Sequence, residues 1–121
     1  MKFSQFQKAV LNHINALQEK IGDSFLELMV DTIQIFDVNG NEIKNAHGLE
    51  YNLSRSRHWD KEQNIYIFHD GFSDDHLMPL YEDITELTPQ AAKMTLHLEG
   101  MNDLDEPIHE QVSVEFDNIN E

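Results

Sequence analysis

Residues 69–76 read HDGFSDDH, two histidines bracketing three aspartates, a glycine and a serine. Imidazole and carboxylate are the ligand types that hold zinc, iron or manganese. His69 at the end of a strand, with Asp70, Asp74, Asp75 and His76 in the loop after it, would bring such ligands together. The spacing matches no ligand pattern with a chemical rationale, and aspartates beside glycine and serine are ordinary turn chemistry. The sequence therefore favours an acidic surface loop and no cofactor. A metal-binding protein or metal-dependent enzyme using His69, Asp74, Asp75 and His76 is the alternative.

Other stretches start like motifs and fail where the chemistry needs them. DVNGNE (37–42) begins like a calcium loop, but Glu42 stands where the sharp turn needs glycine and Gly48 where a bidentate glutamate belongs. HEQVS (109–113) has Ser113 in place of the second histidine of a zinc-protease helix. GFSDD (71–75) has Asp75 in place of the second glycine of a nucleophile elbow. There is no cysteine, so disulfides, thiolate zinc sites and thiol nucleophiles are excluded. The reading is non-catalytic.

Charge is the strongest signal. The 121 residues carry 8 basic and 23 acidic side chains, a net of −15. Residues 1–61 hold seven of the basic and eight of the acidic residues, a net of −1, and residues 62–121 hold only Lys93 against fifteen acids, a net of −14. Nucleic acid and anionic membranes need a positive surface, so neither is expected as a direct ligand. A basic partner is expected instead, for example a nuclease or another nucleic-acid-binding protein.

Val112, Val114 and Phe116 alternate as the inward face of a strand, which points Ser113, Glu115 and Asp117 outward. On the expected partner strand, Thr95, His97 and Glu99 face out. Alternate strand residues lie about 6.6–6.8 Å apart, close to two base-pair steps of about 3.4 Å. Glu99, Asp103, Asp105, Glu106, Glu110, Glu115 and Asp117 are thus the candidate phosphate-mimicking surface of an inhibitor or immunity-type protein. Leu77, Leu104 and Ile108 would add apolar contacts. SRSRHW (54–59) is the opposite oddity, placing Arg55, Arg57 and the single tryptophan, Trp59, together. Arginine forks bind carboxylates and stack on aromatics. The patch suits self-association, docking the acidic half of a second copy in a homodimer, or pairing within the chain to Asp60 and Glu62. A third function reading is a structural subunit of a phage or secretion assembly.

These residues need elements to hold them. Phe3, Phe6, Val10, Ile14, Leu17 and Ile21 recur at helical spacing, with Ser4 and Gln7 as a capping box and Gly22 as the stop. SFLELMV (24–30) reads equally as strand or short helix. TIQIFD-VNGN-EIK reads as a hairpin on a type I′ Asn39-Gly40 turn. LEYNLS, with Leu49, Tyr51 and Leu53 on one face, and NIYIFH (64–69) read as strands, and WDKEQ as a turn. Thr88-Pro89 could start a helix, but Met94, Leu96 and Leu98 alternate as in a strand. A hairpin from 93–99 to 111–117, across a long acidic loop at 102–110, explains both runs. The expected fold is α+β, one domain over 1–121, with an N-terminal amphipathic helix on a mainly antiparallel sheet of about five to six strands. Its core should include Phe3, Phe6, Val10, Ile14, Leu17, Ile33, Ile35, Ile65, Ile67, Leu96, Val112, Val114 and Phe116. The first twenty residues lack the apolar run of a signal peptide, and no stretch approaches the roughly 20 apolar residues of a membrane span. The expected location is the cytoplasm.

Overall fold

A computed structural model describes residues 1–87 and 89–116. In order they form α1 (Phe3–Ile21), β1 (Phe25–Phe36), β2 (Glu42–His47), β3 (Ser54–Asp60), β4 (Ile65–Asp70), α2 (Asp74–Leu87), β5 (Lys93–Asn102) and β6 (Pro107–Glu115). The fold is α+β. The strands make one six-stranded antiparallel sheet in the order β4-β3-β1-β5-β6, with β2 beside the far half of β1. Phe6, Val10, Ile14 and Leu17 of α1 and Leu77, Leu80 and Ile84 of α2 join a single buried cluster with the inward residues of β1 and β5. The helices touch through Tyr81, whose ring meets Phe3 at 5.3 Å and Phe6 at 5.6 Å.

α1 follows its stripe, and Gly22, at φ 78, closes it by donating its N–H to the Gln18 carbonyl. Its start lies earlier than Ser4 and Gln7 suggest. The backbone N–H of Lys2 donates to Gln5 Oε1 at 3.1 Å, and Ser4 is already inside the helix.

The ambiguous stretch 24–30 is strand. β1 carries bulges between Phe25 and Glu27 and between Val30 and Thr32. Its inward residues are Phe25, then Leu28 and Val30, then Ile33 and Ile35. Each bulge adds one residue and shifts the inward phase, so the apolar spacing mixes twos and threes and imitates a helix.

The hairpin after β1 is present, but its turn is not type I′. Only Gly40 of the Asn-Gly pair has positive φ, at 84. Asp37 organises the turn instead. Its Oδ1 accepts the N–H groups of Asn39 at 3.0 Å and Asn41 at 2.8 Å, and its carbonyl accepts that of Gly40 at 3.0 Å. Asn102 repeats the pattern before β6, accepting from Leu104 at 3.0 Å and Glu106 at 2.9 Å, with Asp105 at φ 59 in the place of Gly40. The acidic loop is therefore shorter than expected. It spans 103–106, and residues 107–110 already belong to β6.

Three further expectations change. Leu49, Tyr51 and Leu53 share no strand face, because Gly48–Glu50 is a 3₁₀ turn with Leu49 77% exposed and Tyr51 and Leu53 buried. NIYIFH is a strand, but an edge strand, so Ile65 is 48% exposed and Ile67 is only half-buried rather than core. The loop expected after His69 gives way to α2. The hairpin of 93–99 with 111–115 is as expected, with Met94, Leu96, Leu98 and Val114 buried. Thr88 and the end of that run at Asp117 lie outside the described residues.

Gly100 lies inward on β5, where a Cβ would sit 1.9 Å from the Glu27 carbonyl oxygen. Gly100→Ala should therefore cost about 2 kcal/mol or more in urea unfolding, because only backbone stands in the way. Tyr51 supplies a pH signature. Its hydroxyl donates to Asp83 Oδ2 at 2.5 Å, tying the 3₁₀ turn to α2. Burial first, then the hydrogen bond to Asp83 and the charges of Asp83 and Glu50, raise its pKa above the ordinary tyrosine value. The folded state thus holds this proton more tightly than the unfolded chain. The stability it contributes is complete below about pH 10 and is lost as pH rises through the folded pKa. Tyr51→Phe should remove this alkaline fall from denaturant curves measured stepwise above pH 9 or so.

Candidate functional site

HDGFSDDH is the joint between β4 and α2, and its chemistry is spent on structure. Asp70 ends β4. Its Oδ1 accepts the Phe72 N–H at 3.0 Å and lies 3.4 Å from Arg55 Nε. Gly71 donates its N–H to the Ser54 carbonyl at 2.7 Å, and a Cβ there would lie 2.5 Å from the same oxygen. Phe72 is fully buried. The Ser73 carbonyl accepts the N–H groups of His76 and Leu77, both at 3.0 Å, and its hydroxyl meets His76 Nδ1 at 2.7 Å. Asp74 and Asp75 fill the first turn of α2, where the helix dipole favours negative charge. His69 belongs to β4 and stacks on His58 with ring centroids 5.5 Å apart. The two histidines of the motif are thus held by different elements with different partners. Among the described residues, no group of three or more histidine, aspartate or glutamate side chains is placed to hold a metal ion.

Arg55, Arg57 and Trp59 do share one face of β3, the helix side. Both guanidinium groups are engaged within the chain, though not by Asp60 and Glu62. Arg55, 12% exposed, donates to Asn15 Oδ1 at 2.7 Å and Gln18 Oε1 at 3.1 Å on α1 as well as facing Asp70. Arg57 donates to the carbonyls of Phe25 and Asp23 just beyond the end of α1, and its guanidinium lies 4.4 Å from the Tyr66 ring centroid. Trp59 meets the same ring edge-on at 5.1 Å and remains 46% exposed. What faces solvent here is aromatic rather than cationic.

The candidate acidic surface does not form one row. Glu110 lies on the helix side of β6, paired with Lys20 of α1 at 3.2 Å. Glu99 faces out opposite His109, 3.7 Å away. Asp103, Asp105 and Glu106 sit in the turn, where Glu106 also accepts from the Asn102 side chain at 3.2 Å. Glu115 is opposite Lys93, at the other end of β6. Asp117 lies outside the described residues. The outward residues of β6 are His109, Gln111, Ser113 and Glu115, so this strand presents one carboxylate and not a ladder.

Sequence reasoning missed two surfaces. α2 carries Asp74, Asp75, Glu82, Asp83 and Glu86 and no lysine or arginine. Asp74 is bonded to Gln7, and Asp83 to Tyr51 with Lys44 at 3.8 Å. Asp75, Glu82 and Glu86 are exposed along the outer side, with Pro79 between them. The helix signal was present in Ser73 followed by acids and in Leu77, Leu80 and Ile84. The second surface is the open face of the sheet, where register places His47, His58, His69, His97 and His109. There His97 Nε2 meets Gln34 Oε1 at 2.5 Å, and Gln34 and Asn45 both donate to Glu42, which lowers the Glu42 pKa. A shallow depression opens beside this chain, between Asp31, His97, His109 and Gln111.

Arg55 and His69 separate the structural and metal readings of the motif. Arg55→Ala should cost about 2 kcal/mol in denaturant unfolding, because Asn15, Gln18 and Asp70 all lose a charged partner. His69→Ala, at an exposed edge, should cost less than about 0.5 kcal/mol.

No family model matches this chain, and neither a curated protein nor a solved structure matches it. Its surfaces are interpretable through their own chemistry alone.

Proposed function

We propose that this is a small acidic, non-catalytic binding protein of the cytoplasm whose partner presents a basic surface. The sharpest form is an inhibitor or immunity-type protein that occupies the nucleic-acid site of a nuclease or related protein with carboxylates in place of phosphates. The observation that carries it is the net charge of −15, together with α2, whose five carboxylates face no cation on their own helix. Glu82 and Glu86 lie one helical turn apart, about 6 Å along the axis. Like charges at this spacing destabilise a helix by a few tenths of a kcal/mol. A cationic partner relieves that repulsion. The contact surface we favour is therefore the outer side of α2, with Asp75, Glu82 and Glu86. Of the phosphate-spaced carboxylates expected on the last strand, Glu115 faces outward and Asp117 lies outside the described residues.

The acidic field would speed encounter and make binding sensitive to salt. The test is capture of partners from nuclease-treated lysate of the source organism at low salt, with elution by rising salt. A basic protein should be retained by the wild type and lost by Asp75→Asn/Glu82→Gln/Glu86→Gln. That triple variant should melt close to the wild type, because relief of the Glu82–Glu86 repulsion offsets the loss of the Asp75 charge at the helix start. Retention of the same partner by the variant would move the interface off α2. Capture of no basic protein would remove the reading altogether.

A further inference from the structure

We propose that a second copy of this chain pairs with the first along β4, edge to edge and antiparallel, continuing the sheet across a two-fold axis. The inference stands apart from the basic-partner reading and uses a different surface.

Among the described residues, β4 has one neighbouring strand, β3. Gly71 donates to the Ser54 carbonyl at 2.7 Å, which fixes the phase of the ladder. Hydrogen-bonded pairs alternate along antiparallel strands. With Ser54 and Gly71 paired, Ser56 with His69 and His58 with Ile67 follow. Tyr66 and Phe68 fall between, so their N–H and C=O groups point away from β3, to a side where no strand lies among the described residues.

Edge strands usually carry proline or inward or flanking charge that blocks such pairing. β6 begins with Pro107 and carries Glu110 and Glu115, and β2 carries Glu42 and Lys44. β4 is Ile-Tyr-Ile-Phe-His-Asp, with its one acid at the end held by Arg55. Its apolar groups are open to water. Ile65 is 48% exposed, Tyr66 40%, Phe68 61% and the neighbouring Trp59 46%. At 150–250 Å² for a whole aromatic side chain, these four residues offer on the order of 400 Å². That is about half of the roughly 800 Å² each partner gives to a standard interface, before the strand backbone and hairpin flanks are counted.

Charge selects the occupant. A molecule carrying −15 repels its copies, yet residues 54–70 hold Arg55, Arg57 and Lys61 against Asp60, Glu62 and Asp70, a local net of zero. Two copies meeting here bring neutral surface to neutral surface. The contact is also self-complementary. In an antiparallel two-fold pairing, Tyr66 and Phe68 of both copies lie on one face of the joined sheet, where aromatic cross-strand pairs stabilise. The Arg57–Tyr66–Trp59 stack is already formed, which lowers the ordering cost of association.

The test is sedimentation equilibrium of the whole chain, from low micromolar to near-millimolar concentration, at low and high salt. Amide hydrogen exchange is read on the same samples. The wild type should dimerise, and more tightly at high salt, because screening removes repulsion between the acidic bodies. Phe68→Thr should raise the dissociation constant by about tenfold or more, with the circular dichroism spectrum unchanged, since the side chain is largely exposed and threonine keeps the strand preference without placing a charge opposite Arg57. Exchange at Tyr66 and Phe68 should slow as concentration rises, a readout that needs no variant. A wild type that stays monomeric at high salt overturns the proposal. So does a dimer whose Tyr66 and Phe68 amides exchange at the monomer rate, or an edge protected only by another protein's strand. Basic-partner binding weakens with salt, so either reading can fail without the other.

Discussion

The architecture depends on β1 bending twice while keeping its partner. Its 12 residues pair with β5 along nearly their whole length on one side. On the other side they pair with β3 through Glu27–Met29 and with β2 through Thr32–Phe36. A straight strand with strict alternation could not bury Phe25, Leu28, Val30, Ile33 and Ile35 together, because a one-residue shift sends every side chain to the other face. The bulges make those shifts, and each is met by a glycine. Gly100 packs on the Glu27 carbonyl at the first, and Gly48 lies against the Val30 carbonyl at the second, where a Cβ would be 1.7 Å from the oxygen. The close approach at Gly48 sets the 3₁₀ turn that follows. That turn delivers Tyr51 and Leu53 to the core and the Tyr51 hydroxyl to α2. One strand thus fixes the course of the chain through both halves of the sheet.

The same feature decides what the sequence could disclose. α1 and the β5–β6 hairpin were legible because each keeps one period throughout, 3.6 in Phe6–Val10–Ile14–Leu17 and 2 in Met94–Leu96–Leu98. β1 was not, because its phase changes twice within one element. α2 was hidden by Asp, Ser and Gly at its start and by Pro79 in its second turn, which lacks the donor that would have met the Asp75 carbonyl and crowds that carbonyl with its ring. β4 was legible as a strand and misplaced in the core. Alternation and β-branching say nothing about how many neighbours a strand has, and the exposure of Ile65 and Phe68 follows from its place at the edge.

For the candidate site, residue types were legible and their gathering was not. The charge halves of the sequence do not become halves of the molecule, because β5 from the acidic half sits between β1 and β6 at the centre of the sheet. Side chains that read as reactive when adjacent in sequence are divided among strand end, turn and helix start. Asp70 holds Arg55 and the Phe72 amide, while Ser73 and the two aspartates after it begin a helix. Such use of Asp, Ser and His reflects their ability to satisfy backbone groups locally, which is the same ability that makes them suitable for sites.

The two surfaces we assign to binding are coupled by charge. At physiological salt the Debye length is about 8 Å, so carboxylates on the flank of one copy are screened only partly from those of another across a thin edge contact. Neutral charge over 54–70 makes that edge the approach of least repulsion, but the bodies behind it still oppose it. A basic partner on the acidic surface would remove part of that opposition. By linkage, edge pairing and partner binding would then strengthen each other, although no residue need be shared between them. Salt alone acts on the two in opposite directions, weakening attraction to the partner and relieving repulsion between copies. Carboxylates held apart from the aromatic edge would thus let one small sheet carry both proposed contacts, with strengths set by the same charge.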